Sequence, residues 1–412
     1  MTPHALMTRC RRFLLGHDQR GPALADLARA LHAAMPPGFP VGDNVVFLRA
    51  HAAAAALAVH PDATIDVARI PFPVTVSGLP ELDDLMRASL VMHDPPAHTR
   101  LRRILARFFT ARRLRALADD IRRSLTARFA DLLADRAEVE FVSEVAEPLV
   151  LATSRRLLGW QAADPAMLHR WARLLADQIM RFRLEGEERA EVEATLAAFR
   201  AFPDEERARR RARRPAAGGD GDLYDALLAA EDAGEIASAE EFAGQCLLLL
   251  VNGLDTGPTF YAALVRRLLE DADIRARLRA DPSLLPGFVE ESLRLDGSVA
   301  MMVRVAAADL SLGPLRIPRA RVVIAGIAVA NRDPEVFPAP DRFDPARDPN
   351  PHLAFGRGHH HCLGAALARI HATALIEALL TLPRPPRVVE ERIVWNPKPA
   401  IAGPMRMPLA FG

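Results

Sequence analysis

Apolar residues recur at three- and four-residue spacing along most of the chain, and this spacing predicts amphipathic helices. The predicted helices cover residues 22–34, 97–108, 111–135, 145–160 and 164–184, with a longer and more apolar helix over 239–269. Strand-like segments are fewer: residues 44–48, residues 310–327 and the tail after residue 387. The pattern therefore predicts a mainly α fold with a minor β part.

Three polar or proline-rich segments interrupt this periodicity. Residues 187–214 are crowded with Glu and Arg at helical spacing, which predicts an exposed helix laced by side-chain pairs. Residues 215–221 are rich in Gly and predict a loop, which we interpret as an internal connector rather than a domain boundary. The proline-rich residues 333–351 predict a long irregular segment.

Composition narrows the class of protein. At 412 residues, half of them hydrophobic, the chain can bury a substantial core and a sizeable cofactor. A formal net charge of +1 argues against nucleic acid as the main partner. The three cysteines, Cys10, Cys246 and Cys362, are too few and too scattered for a disulfide framework, which is typical of a reducing compartment.

No targeting segment is predicted. The first twenty residues are interrupted by charges at Arg9, Arg11, Arg12 and Asp18, unlike a secretory signal. The apolar run from Cys246 to Val251 is far shorter than the ~20 residues that a bilayer requires. We therefore expect no association with a membrane.

The stretch from Phe355 to Gly364 is the strongest candidate for chemistry. Gly356 and Gly358 permit backbone angles that residues with a Cβ resist, so the loop can turn tightly beneath a flat ligand. Cys362 then opens an apolar helix, whose free N–H groups and partial positive charge favour a thiolate. Two other interpretations are an inert buried cysteine and a zinc site built on the adjacent histidines, although zinc prefers ligands two to five residues apart.

The pattern Phe-Gly-x-Gly-x-His-x-Cys-x-Gly resembles the haem-binding loop of cytochromes P450, and every fixed position is filled. The resemblance implies that Cys362 is the axial ligand of haem iron and that Phe355, Gly356, His360 and Gly364 contact the cofactor. It also implies the triangular, mostly helical haem-thiolate fold. Because the resemblance runs without a break from about residue 90 to the C-terminus, we expect a single domain over residues 1–412.

A second set of residues matches the family's partners for the haem propionates. His98 and Arg102 lie four residues apart after Pro95 and Pro96, on one face of a predicted helix. In the family the corresponding residues both face the haem. Arg304 and His360 match two further propionate contacts.

Glu291-Ser292-Leu293-Arg294 matches the family's Glu-x-x-Arg helix. At this spacing the carboxylate and the guanidinium share one helix face and can pair. The role implied by the resemblance is structural, a brace for the cysteine loop. The brace is completed by Arg342 or Arg347, and the sequence leaves this choice open.

A third match is Asn252-Gly253-Leu254-Asp255-Thr256, inside the long apolar helix. In the family, an acid–alcohol pair after a glycine relays protons to dioxygen, which assigns catalytic roles to Asp255 and Thr256. This chain departs from the family at Asn252, where alanine or glycine is usual, and at Pro258. Pro258 has no N–H for the Leu254 carbonyl, so we expect a kink there.

The resemblance implies a soluble bacterial monooxygenase of secondary metabolism, cytoplasmic and monomeric, which hydroxylates or epoxidises a small organic molecule. Its cofactor would be haem b, with electrons from NAD(P)H delivered through ferredoxin reductase and ferredoxin. Two alternatives stay open: oxidative coupling or dehydrogenation of a free, carrier-bound or peptide-bound substrate, and a non-catalytic haem sensor. By their place in the family pattern, residues 70–90, 249–253, 298–302 and the tail near Ile401 would line the substrate pocket.

Arginines near the predicted haem-contacting helix suggest where electrons arrive. We expect an electropositive surface for a small acidic ferredoxin, unless these arginines are only solvated surface charges. The arginines are Arg100, Arg103, Arg107, Arg112 and Arg113, with Arg357 and Arg369 beside the cysteine loop.

Overall fold

The computed structural model describes residues 3–16, 21–72, 74, 77–179, 186–212 and 221–411, and it is mainly helical with a minor β part. The helices are α1 (Pro3–Leu14), α2 (Gly21–Ala34), α3 (His51–Val59), α4 (Pro80–Arg87), α5 (Ala97–Ala106), α6 (Ala111–Asp135), α7 (Glu147–Leu158), α8 (Pro165–Gln178), α9 (Gly186–Ala212), α10 (Leu223–Asp232), α11 (Ala239–Glu270), α12 (Ala272–Ala280), α13 (Leu285–Asp296), α14 (Ile327–Ala330) and α15 (Ala365–Leu380). The strands are β1 (Gly38–Pro40), β2 (Val45–Leu48), β3 (Ala63–Thr64), β4 (Glu138–Glu140), β5 (Met302–Ala306), β6 (Leu310–Leu312), β7 (Leu315–Ile317), β8 (Val322–Ala325), β9 (Arg387–Val388), β10 (Val394–Trp395), β11 (Pro404–Arg406) and β12 (Pro408–Ala410).

The chain divides into two compact units. The first unit comprises Met1–Thr64, Leu114–Leu149 and Thr256–Gly412, and the second comprises Ile65–Arg113 and Val150–Asp255. The boundary crosses α11 between two adjacent residues, Asp255 and Thr256. A single domain over the whole chain stays a prediction.

The first unit contains the main sheet, with strand order β1-β2-β8-β5-β3. Only the β2–β8 pair is parallel, and it aligns Val45 with Val322. Leu48 of β2 and Val323 of β8 are fully buried in one apolar cluster with Leu57 of α3. The β-branched residues of these strands therefore bury one side of the sheet against a helix, as their strand propensity favours.

The second unit is helical, and its helices begin at recognisable caps. The side chain of Asp164 accepts a hydrogen bond from the Ala166 N–H at the start of α8, and proline follows at the first helical position. Asp222 and Asp225 form a reciprocal capping box at the start of α10. Such caps satisfy N–H groups that have no partner inside the helix.

Helix α9 corrects one expectation. The charged segment 187–214 was predicted to be exposed, yet α9 buries a face that includes Leu196, Phe199 and the carboxylate of Glu206. Glu206 tolerates burial because Arg209 and Arg210 both donate hydrogen bonds to it. Residues 213–220 of the charged segment and the following loop lie outside the described residues.

Helix α11 passes through the interior and carries the predicted catalytic pair. It is the one helix of the described chain that is long and apolar enough to cross a membrane by length and composition alone. However, 61% of its most apolar window is buried within the protein, which is typical of a core helix. Pro258 lies inside the helix, where it removes one N–H from the backbone ladder.

Candidate active site

The cysteine loop presents a thiol that the protein does not enclose. Cys362 is exposed, whereas Cys10 and Cys246 are buried, and burial raises the pKa of the Cys10 thiol to about 12. The Cys362 N–H donates to the Phe355 carbonyl at 2.9 Å, which closes the loop on itself. An inert core cysteine is therefore the wrong interpretation for Cys362.

Glycines shape this loop, as the sequence predicts. Gly356 and Gly358 adopt φ angles of +66° and +70°, which residues with a Cβ rarely adopt. A Cβ at Gly358 would lie 2.9 Å from the Ala58 carbonyl oxygen at the end of α3. The loop can therefore pack closely on α3 only with glycine at this position.

The helix after the cysteine begins slightly later than predicted. Helix α15 starts at Ala365, and the Ala365 N–H donates to the Cys362 carbonyl at 3.3 Å. Cys362 therefore lies in the turn just before α15 rather than in its first turn.

Glu291 and Arg294 form a buried ion pair beneath the irregular segment that precedes the loop. Arg294 Nη2 and Nε donate to the two carboxylate oxygens of Glu291 at 2.7 and 2.8 Å, and both side chains are fully buried. Arg294 Nη1 also donates to the carbonyls of Asn331 and Pro340. A fully hydrogen-bonded fork is the arrangement in which a buried charge pair is tolerated.

The third side chain of this brace is Arg347. Its Nε lies 3.1 Å from Glu291 Oε1 and 3.2 Å from Oε2. Arg342 offers only its backbone carbonyl, which accepts from Arg294 and Arg347. Of the two residues left open by the sequence, Arg347 therefore supplies the guanidinium.

A second brace, centred on Glu290, was missed at the sequence level. Arg369 donates to the two Glu290 oxygens at 2.6 and 2.8 Å, and His352 Nε2 lies 3.0 Å from Oε2. Burial opposes the charge of Glu290, but the hydrogen bonds from Arg369 and His352 outweigh it and lower the pKa of this carboxyl to about 2. The Arg369 guanidinium also lies 4.7 Å from the centre of the Phe355 ring, inside the cysteine loop.

The predicted propionate partners divide between the two units. His98 and Arg102 lie on α5 in the second unit, where His98 is buried and Arg102 is half-buried. Arg304 lies on β5 in the first unit, buried, with its guanidinium donating to the Val303 carbonyl at 2.8 Å. His360 ends the short 3-10 turn Gly358–His360 before the cysteine. Their meeting at one haem stays a prediction.

Asp255 and Thr256 are consecutive on α11 and both half-buried. Asp255 lies 3.9 Å from the guanidinium of Arg173 on α8, and Arg173 lies 3.7 Å from Asp177. Asn252, one turn before Thr256, is the single exposed residue between Glu241 and Leu268, a stretch that the structure describes completely. Asn252, Asp255 and Thr256 therefore bring three polar side chains together in the middle of a largely buried helix.

The donor set of the loop fits a thiolate-ligated haem. A cysteine thiolate is a soft ligand suited to haem iron, and the Cys362 side chain is accessible. The space beside Gly356 and Gly364 is open, because within 4 Å an added Cβ would meet only the His360 carbonyl oxygen, at 4.0 Å, or Cys362 Sγ, at 3.9 Å, respectively. No cluster of three potential metal ligands among the described residues includes Cys362.

Comparison with known proteins agrees with this chemistry. The family model of cytochrome P450 matches residues 169–382. Cytochrome P450 107B1 of Saccharopolyspora erythraea is 38% identical over 288 residues, which cover 70% of this chain and 68% of that protein. The cyclomarin C epoxidase CymV of Salinispora arenicola is 32% identical over 80% of this chain and 82% of its own length.

A solved structure gives the same result. The structure of the myxobacterial cytochrome P450 CYP267B1 in complex with myristic acid superposes with a TM-score of 0.82 and 30% identity, covering 98% of this chain and 99% of that one. The chain belongs to the cytochrome P450 family. It is therefore an oxygen-activating monooxygenase, and its family uses haem and receives electrons from redox partners.

Proposed function

We propose that this enzyme hydroxylates or epoxidises a small organic molecule of bacterial secondary metabolism, with Cys362 as the axial ligand of haem b. The observation that carries the proposal is the accessible Cys362 thiol, held in a glycine-shaped loop. The relationship to a cyclomarin C epoxidase supports the class of substrate. A cytoplasmic, monomeric enzyme stays our expectation.

Haem, when bound, supplies reductive activation of dioxygen, and a thiolate ligand favours cleavage of the O–O bond. In this proposal, the two braces hold the cysteine loop and the segment that precedes it in place. Glu291 with Arg294 and Arg347 fixes the segment before the loop, and Glu290 with Arg369 fixes the Phe355 ring inside it. In this proposal the sulfur position is set by one buried and one partly exposed ion pair rather than by the loop alone.

In this proposal, the side chains of Asp255 and Thr256 on α11 transfer protons. The Asp255 carboxylate is half-buried and lies 3.9 Å from the Arg173 guanidinium, which balances its negative charge. The Thr256 hydroxyl both donates and accepts, so it can pass a proton held by Asp255 toward the reacting oxygen. His98, Arg102, Arg304 and His360 would neutralise and orient the haem propionates.

Electrons would come from NAD(P)H through a ferredoxin reductase and a ferredoxin. The structure changes which arginines can attract the ferredoxin, because Arg100, Arg103 and Arg369 form ion pairs with Glu241, Glu235 and Glu290. On the second unit, Arg107 is exposed, and half-buried Arg113 donates a hydrogen bond to the Gly221 carbonyl. We therefore limit the proposed docking charge of this unit to Arg107 and Arg113.

The ligand assignment is tested by spectroscopy of the reduced protein with carbon monoxide. We expect the red-shifted Soret band of a thiolate-ligated haem in the unaltered protein and its loss in Cys362→Ala. Cys246→Ala serves as the control, because this buried cysteine should leave the band in place. A band that survives Cys362→Ala would contradict the assignment.

The reaction class is tested by product mass under isotope-labelled dioxygen. Hydroxylation or epoxidation adds one labelled oxygen atom to the product. Oxidative coupling or dehydrogenation leaves the product unlabelled, and this result would replace oxygen insertion with the alternative.

A further inference from the structure

Tyr261 and His371 form a buried pair that none of the roles above uses. Tyr261 lies on α11 and His371 on α15, and both belong to the first unit. The phenol oxygen lies 3.0 Å from His371 Nδ1, and each side chain is 2% exposed. The two rings meet edge to face, with centres 5.6 Å apart. The contact therefore joins a phenol to an imidazole in a dry environment.

The protonation states of the pair follow from this burial. Burial lowers the pKa of His371 to about 3, so the imidazole is neutral at physiological pH and can accept a proton. Burial raises the pKa of Tyr261, and negative charge at Cys362 adds to this effect. The phenol consequently keeps its proton, and an O–H···N hydrogen bond to Nδ1 is the arrangement that both groups favour.

A phenol gives up an electron more readily when a base can take its proton at the same time. Tyr261 has such a base at hydrogen-bond distance. It lies on the helix that carries Thr256, and His371 lies on α15, which starts three residues after Cys362. We propose that Tyr261 and His371 form a proton-coupled redox site, which returns an electron to the haem when oxidising power is not transferred to substrate. This inference rests on the proposed haem-thiolate function.

The step balances in electrons and atoms. Tyr261 transfers one electron to the haem that peroxide has oxidised, and its phenolic O–H bond breaks as the proton moves to His371 Nδ1. The products are a neutral tyrosyl radical and an imidazolium. An electron from the redox partner later reduces the radical, and the proton returns from Nδ1 to the phenol oxygen.

The chain contains its own control. Tyr224 is the only other tyrosine in the sequence, and it is also fully buried. Its hydroxyl donates to the Pro203 backbone carbonyl, which is far too weak a base to take up a phenolic proton. Oxidation that requires a base to accept the phenolic proton should therefore occur at Tyr261 and not at Tyr224.

The test mixes haem-loaded protein with hydrogen peroxide in the absence of substrate, freezes the mixture and records its electron paramagnetic resonance spectrum. We expect a tyrosyl signal in the unaltered protein and in Tyr224→Phe, and its loss in Tyr261→Phe. His371→Leu should weaken the signal, because the phenolic proton then has no acceptor. Bleaching of the haem by peroxide should be faster in Tyr261→Phe than in Tyr224→Phe.

A tyrosyl signal that persists in Tyr261→Phe, or no signal in the unaltered protein, would overturn the proposal. The carbon monoxide spectrum of every sample separates this failure from failure of the proposed function. A normal thiolate-type band without a tyrosyl signal rejects only the redox pair. An absent band in the unaltered protein rejects the haem-thiolate function on which the pair depends.

Discussion

Asp255 is the residue whose surroundings set the proton supply in the proposed mechanism. Its carboxylate lies 3.9 Å from Arg173, a cation that it shares with Asp177. Thr256 follows it directly and carries the only hydroxyl in the matched Asn252–Thr256 motif. Proton delivery and proton transfer therefore belong to two different side chains, which substitution can separate.

We predict that Thr256→Ala retains substrate binding but loses reducing equivalents as hydrogen peroxide, because the hydroxyl that passes the proton is missing. Asp255→Asn should slow oxygen reduction by about 100-fold, the lower end of the range expected for a positioned acid or base. Product formed per NAD(P)H consumed, together with peroxide released, measures both effects.

Asp177→Asn is the matched control for Asp255→Asn. It removes the charge of a second carboxylate near Arg173 and leaves the sequence of α11 unchanged. Its rate should stay near that of the unaltered enzyme. Unchanged coupling in Thr256→Ala and an unchanged rate in Asp255→Asn would show that protons arrive by another route in this chain, with its unusual Asn252 and Pro258.

At the scale of elements, two adjacent glutamates on α13 point into two different braces. Glu291 joins α13 to the irregular segment through Arg347, and Glu290 joins α13 to α15 through Arg369. Because α15 starts three residues after Cys362, the Glu290 brace joins α13 to the helix that follows the cysteine loop. The contribution of the Glu290–Arg369 ion pair to the free energy of unfolding should depend on pH. The lowered pKa of the Glu290 carboxyl sets the direction of this dependence.

The pKa of Glu290 is lowered from 4.5 to about 2 in the folded protein. Its ion pair therefore stabilises the fold fully above about pH 4.5, and this stabilisation is lost as the pH falls toward 2. We predict that Glu290→Gln lowers the free energy of unfolding by about 1–2 kcal/mol at neutral pH, since the pair is partly exposed.

Urea unfolding at several pH values checks this prediction. The difference between Glu290→Gln and the unaltered protein should shrink below about pH 4.5. Glu193→Gln provides the control, because Glu193 pairs with Arg189 on the exposed side of α9 and should contribute little at any pH. A difference for Glu290→Gln that grows in acid would contradict the assigned cause of the pKa shift.

The sequence predicted those parts of the site that lie within a short stretch of chain. The positive φ angles of Gly356 and Gly358 and the Glu291–Arg294 pair follow from local sequence on a loop and a helix, whereas the role of Cys362 as haem ligand stays a prediction. The choice between Arg342 and Arg347 depended on the path of an irregular segment, which periodicity does not specify. The Glu290–Arg369 brace joins positions 79 residues apart, and Tyr261 meets His371 across 110 residues, so no local pattern could predict either contact.

The same limit applies to the helices. The apolar spacing predicted α2, α5, α6 and α11 to within a few residues. It missed α3, because the alanine-rich residues of that helix show no alternation between apolar and polar positions. The burial of Glu206 was also missed. It depends on ion pairs from both Arg209 and Arg210 to the same carboxylate, and periodicity does not specify these pairs.

At the scale of the whole molecule, the net charge is only +1. Individual arginines nevertheless differ, because some are neutralised by ion pairs and others are exposed. Several arginines of the second unit are neutralised by ion pairs, including Arg100 with Glu241. Exposed Arg107 is therefore a position where charge reversal should change recognition of an acidic partner.

We predict that Arg107→Glu weakens turnover supported by an acidic ferredoxin at low salt, and that the loss diminishes as added salt screens the charges. Steady-state rates against ferredoxin concentration, at several salt concentrations, provide the measurement. Arg316→Glu on the β6–β7 hairpin makes the same charge change elsewhere and should have no effect. Equal effects of the two substitutions would show that only net charge matters.

The parallel pairing of β2 with β8 has a consequence for synthesis of the protein. Val45 can pair with Val322 only after the ribosome has added Val322, about 280 residues later. At typical translation rates, the early strands therefore remain without their central partner for roughly 15–60 s. Cys362 is added later still, so the nascent chain must keep its unpaired strand edges from aggregating before it can receive an iron cofactor.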